Sequence, residues 1–206
     1  MKKRVFGYYE SIALSNQAEE FSLANIWKAS WEKQGWEPVM LNRSHAQGSP
    51  LYIKLVSRLM KLVPLLPAEN QSRLPWILAR FTRLGALQAA GGGWMSDYDV
   101  VNTGFTPEIA EELERKSTLS IVGPEPAWVL FGTRDHVGAA VHKILLEEIL
   151  ENGVIRGETE ILGVLSGLEE VRPLLHHVTG KDRLLRAEEI FTNPPEPPKT
   201  KLKRKK

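Results

Sequence analysis

The sequence contains no cysteine. Without thiols there is no disulfide framework, no thiolate metal site and no cysteine nucleophile. No apolar run reaches 18 residues, so no membrane-spanning helix is expected. The start, Met1-Lys2-Lys3-Arg4, is basic, but Glu10 interrupts the apolar residues behind it too early for a secretory signal. Neither Gly-x-x-x-x-Gly-Lys-Ser/Thr nor Gly-x-Gly-x-x-Gly occurs, which removes two common glycine-rich phosphate cradles. No internal repeat is visible. A cytoplasmic, reducing environment is the expectation.

The chain has 206 residues, of which 42% are hydrophobic and 25% charged. That is enough for one domain with a substantial core. Six tryptophans are many for this length. The net charge of +2 hides an asymmetry, because residues 194–206 hold six basic groups and a single acid, Glu196. Four prolines, at 194, 195, 197 and 198, open this stretch. The reading is a domain over residues 1–193 and a disordered basic tail over 194–206. The tail either solubilises the protein or makes peripheral contact with an anionic membrane. Nothing in the domain points to a nucleic acid.

Val5 to Tyr9 reads as a first strand. Asn16 and Glu19 form a capping-box pattern, and a helix follows through Phe21, Ala24, Trp27 and Trp31 to Gly35. Glu37 to Leu41 reads as a second strand. Strand, helix, strand in so few residues implies a parallel sheet with a right-handed crossover. The predicted class is therefore α/β, a mostly parallel central sheet flanked by helices. Residues 43–50 read as loop. Residues 51–63 read as a helix with Lys54, Arg58 and Lys61 on one side and Leu55, Leu59 and Leu62 on another. Such a helix packs with a solvated basic face or lies on a membrane surface. Ser72 and Pro75 open the next helix, whose stripe is Leu74, Ile77, Leu78, Phe81 and Leu84, with Arg80 and Arg83 on one flank.

That helix runs into Gly91-Gly92-Gly93-Trp94-Met95-Ser96-Asp97-Tyr98-Asp99-Val100-Val101-Asn102. Three glycines allow positive φ and close approach. In extended backbone Asp97 and Asp99 would project together and Tyr98 away. Two adjacent carboxylates suit a hard divalent ion, Mg²⁺ or Mn²⁺. Further on, a short acidic helix opens at Thr106 and Pro107. Strands follow at Leu119 to Gly123 and Ala127 to Gly132. Asp135 reads as the cap of a helix from Val137 to Glu151. Another helix is expected over 159–168, and a last strand over 171–178 holds His176 and His177. Neighbours in a strand face opposite sides, so at most one of the two can face a site with the aspartates.

From Arg83 to Val100 the chain resembles the glycosyltransferases that carry a sugar-binding region with a DXD motif, of the GT-A type. Their pattern is an arginine on a helix, a small or apolar run, Gly-Gly, an aromatic, then Asp-x-Asp and a valine. Here these are Arg83, residues 84–90, the glycines, Trp94, Asp97-Tyr98-Asp99 and Val100; the third glycine is extra. The resemblance is specific over about residues 73–105. It implies a Rossmann-related, GT-A-like single domain that moves a sugar from a nucleotide-diphosphate sugar to a glycan or other hydroxyl acceptor. It implies Asp97 and Asp99 as catalytic metal ligands, with His176 or, better, His177 as the third. Tyr8 or Tyr9 would stack on the base, and Arg83, Trp94 and Tyr98 would line the donor site. Lys181 would neutralise phosphate. Arg134, Asp135 and His136 would lie toward the acceptor, with Asp135 a candidate catalytic residue. Two alternatives remain open: a non-catalytic sugar- or membrane-binding module with an Asp-x-Asp metal site, and a nucleotidyltransferase, which would want a third carboxylate.

Overall fold

The computed structural model describes residues 2–10, 16–116, 119–122, 129–146, 150–151, 154–155 and 174–195. The tail beyond 195 and the helix expected over 159–168 lie outside them. The elements are β1 (Arg4–Tyr8), α1 (Gln17–Lys33), β2 (Glu37–Leu41), α2 (Arg43–Ala46), α3 (Tyr52–Leu62), α4 (Ala68–Gln71), α5 (Leu74–Ala89), β3 (Gly92–Ser96) and β4 (Val100–Asn102). Then come α6 (Pro107–Glu114), β5 (Leu119–Val122), β6 (Val129–Thr133), α7 (Arg134–Leu146), β7 (Leu150–Glu151), β8 (Val154–Ile155), β9 (Leu175–His177) and α8 (Arg183–Thr192).

Among the described residues, five strands form the main sheet in the order β2-β1-β3-β6-β5. β1 runs parallel to both β2 and β3, as the strand-helix-strand opening requires. β6 runs antiparallel to β3, and β5 antiparallel to β6. The sheet is thus mixed, which corrects the mostly parallel expectation. Only residues 123–128 separate β5 from β6. A parallel crossover needs a dozen residues or more, so this short link forces an antiparallel pair.

Period-two alternation divides the strands between two cores. Phe6, Met95 and Leu130 face α3, α5 and α7, against Leu55, Leu59, Phe81 and Val141. Val5, Trp94, Val129 and Phe131 face α1 and α6, against Trp27, Trp31, Trp36 and Phe105. The molecule is an α/β layer structure, a mixed sheet flanked by helices, compatible with a Rossmann-like fold. Among the described residues no helix is long and apolar enough to cross a membrane.

Local signals explain most boundaries. The Asn16 side chain accepts the Glu19 amide, and Gly35, at φ +90°, closes α1. Asn42 caps the short α2, which occupies part of the expected loop. A 3₁₀ turn, Val63–Leu65, follows α3 around Pro64. α5 starts one residue after Arg73, so Ser72 is not its cap. α7 begins at Arg134, not Val137, and its described part runs to Leu146, with Glu151 already in β7. The Thr133 hydroxyl meets both the His136 amide (3.5 Å) and ring (2.6 Å), so the cap is Thr133 and Asp135 stands in the first turn.

The turn from α5 into β3 depends on Gly92. Its φ is +82°, and a Cβ there would stand 2.5 Å from the Arg134 amide nitrogen and 2.6 Å from the Gly132 carbonyl oxygen. Only glycine fits.

Candidate metal centre

β3 carries the chain through the middle of the sheet and ends at Ser96. Residues 97–99 then form a turn, closed by the Val100 amide donating to the Asp97 carbonyl (3.1 Å). The two aspartates therefore sit on a turn, not on extended backbone. The Ser96 hydroxyl donates to the same carbonyl (2.9 Å) and accepts from the Trp27 indole (3.4 Å). After the turn β4 leaves the main sheet and pairs antiparallel with β9, Val100 opposite His177. The Val178 amide donates to the Asp99 carbonyl at 3.0 Å.

This small ribbon sets the third side chain. His177 Nε2 lies 3.3 Å from Asp99 Oδ2. Asp97, Asp99 and His177 each offer one ligating atom, all within 4.8 Å of one another, and all three residues are half-buried. His176 takes the other side of the strand, where its Nε2 lies 3.1 Å from the Thr103 hydroxyl. The other oxygen of Asp99, Oδ1, is buried, and among the described residues it has no hydrogen-bond partner. A buried carboxylate oxygen left unpaired is costly, and native structures rarely keep one without a water or an ion.

Arg83 reaches the same turn from α5. Its Nη1 pairs with Asp97 Oδ1, and the side chain is mostly buried. Arg80, one turn earlier, is exposed. The crevice beside the pair, lined by Leu84, Met95, Ser96 and Leu130, is too narrow to admit water.

Tyr98 points the opposite way, as expected, although from a turn and not from an extended strand. Its hydroxyl donates to Glu20 Oε2, a carboxylate only 2% exposed on α1. Arg183 of α8 holds that same glutamate (2.5 Å) and Glu19 (2.8 Å). Burial, and then the Glu20 hydrogen bond, push the Tyr98 phenol well above its ordinary range. Glu20 and Arg183 were not read from sequence. The signal was there: Glu20 continues the stripe of Leu23, Trp27 and Trp31, and an acid in an apolar stripe needs a buried partner.

The remaining expected site residues, apart from Tyr9, are not gathered here. Tyr8 is buried, its hydroxyl 3.0 Å from that of Thr82 and 2.9 Å from Glu10, so its ring is not presented to a base. Tyr9 is half-buried and meets Tyr98 edge-on at 5.6 Å. Trp94 is core, packed on Phe105 and Phe131, with its indole N–H donating to Glu114 (2.6 Å). Asp135 is exposed at the far end of the sheet. The cause is strand direction: Thr133 pairs with Gly92, at the start of β3, while Asp97 follows its end. Arg134 and His136 share that position. Lys181 is exposed on the loop after β9.

Burial lowers the His177 pKa, but the hydrogen bond and charge of Asp99, with the charge of Asp97, outweigh it, so the net shift is upward. A raised folded pKa means that protonation stabilises the fold. In metal-free protein that contribution is complete below the unfolded value near 6.5 and is lost as pH rises through the folded value. Histidine NMR titration should place His177 above its ordinary value, and Asp99→Asn should bring it down. A His177 titrating below 6.5 would contradict the pairing. Comparisons with protein-family models, with curated proteins and with solved structures find no match to this chain.

Proposed function

We propose that the protein is a metal-dependent glycosyltransferase of GT-A-like, Rossmann-related architecture, taking its sugar from a nucleotide-diphosphate sugar and passing it to a hydroxyl acceptor. The observation that carries this reading is the buried oxygen of Asp99, without a partner among the described residues, inside the Asp97–Asp99–His177 group. Two carboxylates and an imidazole fit Mn²⁺ or Mg²⁺, Mn²⁺ the better for accepting nitrogen. When bound, such an ion neutralises charge on a departing diphosphate.

The chain's own groups have separable tasks. Asp97 and Asp99 hold negative charge just past the end of the central strand β3. Arg83 fixes the Asp97 carboxylate and adds a permanent cation beside it, where phosphate oxygens would gather. Arg183, through Glu20, clamps Tyr98 and so fixes the turn between the aspartates. Trp27 and Ser96 brace the backbone beneath. No catalytic base is assigned.

One observation favours the second reading, a metal-binding module without turnover: Asp97 is already ion-paired, and the crevice beside it is closed. The test is incubation with Mn²⁺ and a panel of uridine, guanosine, cytidine and thymidine diphosphate sugars. Release of nucleoside diphosphate, by hydrolysis or transfer, is the expected result. Saturable Mn²⁺ binding with no release from any donor would leave only the module. No Mn²⁺ binding would sink both.

A further inference from the structure

Away from the metal centre, one face of the molecule is under-buried and strongly basic. Between Met60 and Arg80 the only buried residue is Leu66, among those whose burial is described. The stretch nevertheless holds large apolar side chains in water, with Leu65 60% and Trp76 40% exposed. Ile53 and Met60, seven residues apart on α3 and so on one helical face, are 75% and 47% exposed. Lys54 and Lys61 flank them, exposed, on the same side. At the start of α5, its N-terminal flanking residue Arg73 and then Trp76 and Arg80 repeat the pattern at spacings of three and four, all exposed.

The charge is one-sided. From Tyr52 to Arg80 the sequence has five basic residues and one acid, Glu69. A solvated face would not need four large apolar side chains, and a purely electrostatic anion site would not use them.

We propose that this face, made of α3, the 3₁₀ turn and the first half of α5, docks on an anionic lipid bilayer. Its chemistry matches the interface between headgroups and acyl chains. Leucine, isoleucine and methionine enter the boundary, tryptophan settles at headgroup level, and lysine and arginine meet phosphates. The backbone supports the presentation: Pro64 and Pro67 bracket Leu65 and stop α3 from continuing, so the turn stands out as a short apolar tip. A second copy of the chain is a poorer occupant, because a twofold contact would set cations against cations across the interface. The face also has a defined place relative to the centre. Arg83 touches Asp97 just past the end of β3, and α5 extends nine residues back from it to Leu74, roughly 13 Å beyond the sheet. The docked surface is therefore on the metal-centre side of the molecule. The inference does not depend on the glycosyltransferase reading.

The test is co-sedimentation of the full chain with vesicles of phosphatidylcholine alone and with 30% phosphatidylglycerol. Wild type should bind the anionic vesicles and release in high salt. Leu65→Ser/Trp76→Ser, at exposed positions, should keep its melting temperature and lose ~10-fold or more in partitioning; Lys61→Gln/Arg73→Gln should lose a similar factor. Replacing the tail lysines 199, 201, 203, 205 and 206 with glutamine should leave most of the binding. Three outcomes overturn the proposal. The first is no binding to anionic vesicles, which would leave an acidic protein as the better partner. The second is full binding by Leu65→Ser/Trp76→Ser with loss in the tail variant. The third is a wild-type dimer, seen by light scattering, that the double variant dissociates.

Discussion

Asp99→Asn should abolish Mn²⁺ binding and lower the release of nucleoside diphosphate by about 10²–10³, with the metal-free melting temperature close to wild type. The asymmetry follows from the two oxygens. Oδ2 faces His177 at 3.3 Å, while Oδ1 is buried without a partner among the described residues. In the metal-free protein, neutralising this carboxylate gives up the His177 pairing but removes an unsatisfied buried charge, and the two effects offset. With the ion present the same change deletes a ligand. Calorimetric titration reads the binding directly. Thermal unfolding gives a second measure: an ion at 100 times its Kd stabilises a fold by about 2.7 kcal/mol. For a chain of this length that corresponds to an upward shift of about 5–10 °C. Wild type should show the shift and Asp99→Asn should not. A variant that keeps both shift and turnover would remove Asp99 from the centre. Asp97→Ala is a less clean probe, because it also strands the Arg83 guanidinium in a mostly buried position.

Trp94→Ala should cost about 3–5 kcal/mol of stability. Against a usual total of 5–15 kcal/mol this approaches unfolding. The ring is 1% exposed, with centroids 5.0 Å from Phe105, 5.1 Å from Phe131 and 6.2 Å from Trp36. Its N–H bonds Glu114, which Lys3 also holds at 2.8 Å. Removing the indole opens a cavity at the joint between β3, α6 and the chain's first strand. Trp94→Phe retains the ring contacts and loses the hydrogen bond, so it should cost much less, on the order of 1 kcal/mol for the bond plus a smaller void. Urea denaturation of both variants checks this. Should Trp94→Ala unfold like wild type but bind nucleotide poorly, the residue lines a ligand site and not the core.

The Asp-x-Asp motif, the helix that delivers Arg83 and the strand-helix-strand opening were all legible in the sequence, because each has a local signature in spacing, glycine or capping, but the aspartates were expected on extended backbone and stand on a turn. Alternation left room for only one of His176 and His177, and the place of His177 before the Gly180-Lys181 turn was the reason to prefer it. What the pattern could not hold was direction. Alternating apolar residues mark β6 as a strand whichever way it runs, and its antiparallel course carries Asp135 to the far end of the sheet. The same blindness affected the aromatics. Tyr8 and Trp94 flank the aspartate turn in space or sequence, yet alternation turns both rings inward. The Glu20–Arg183 link joins residues 163 positions apart, a distance at which a single sequence says nothing of pairing. The buried glutamate in the α1 stripe was the one clue to it.

The β4–β9 ribbon has a further consequence during synthesis. About 80 residues separate Asp97 from His177, so the third donor leaves the ribosome several seconds after the aspartates at ordinary elongation rates. Until then the nascent chain carries an acidic pair and Arg83 but lacks the imidazole. A prematurely terminated product ending between residues 103 and 174 would keep the whole Asp-x-Asp turn but lack His177, so under the proposed metal-dependent reading it would be missing one of the three donors.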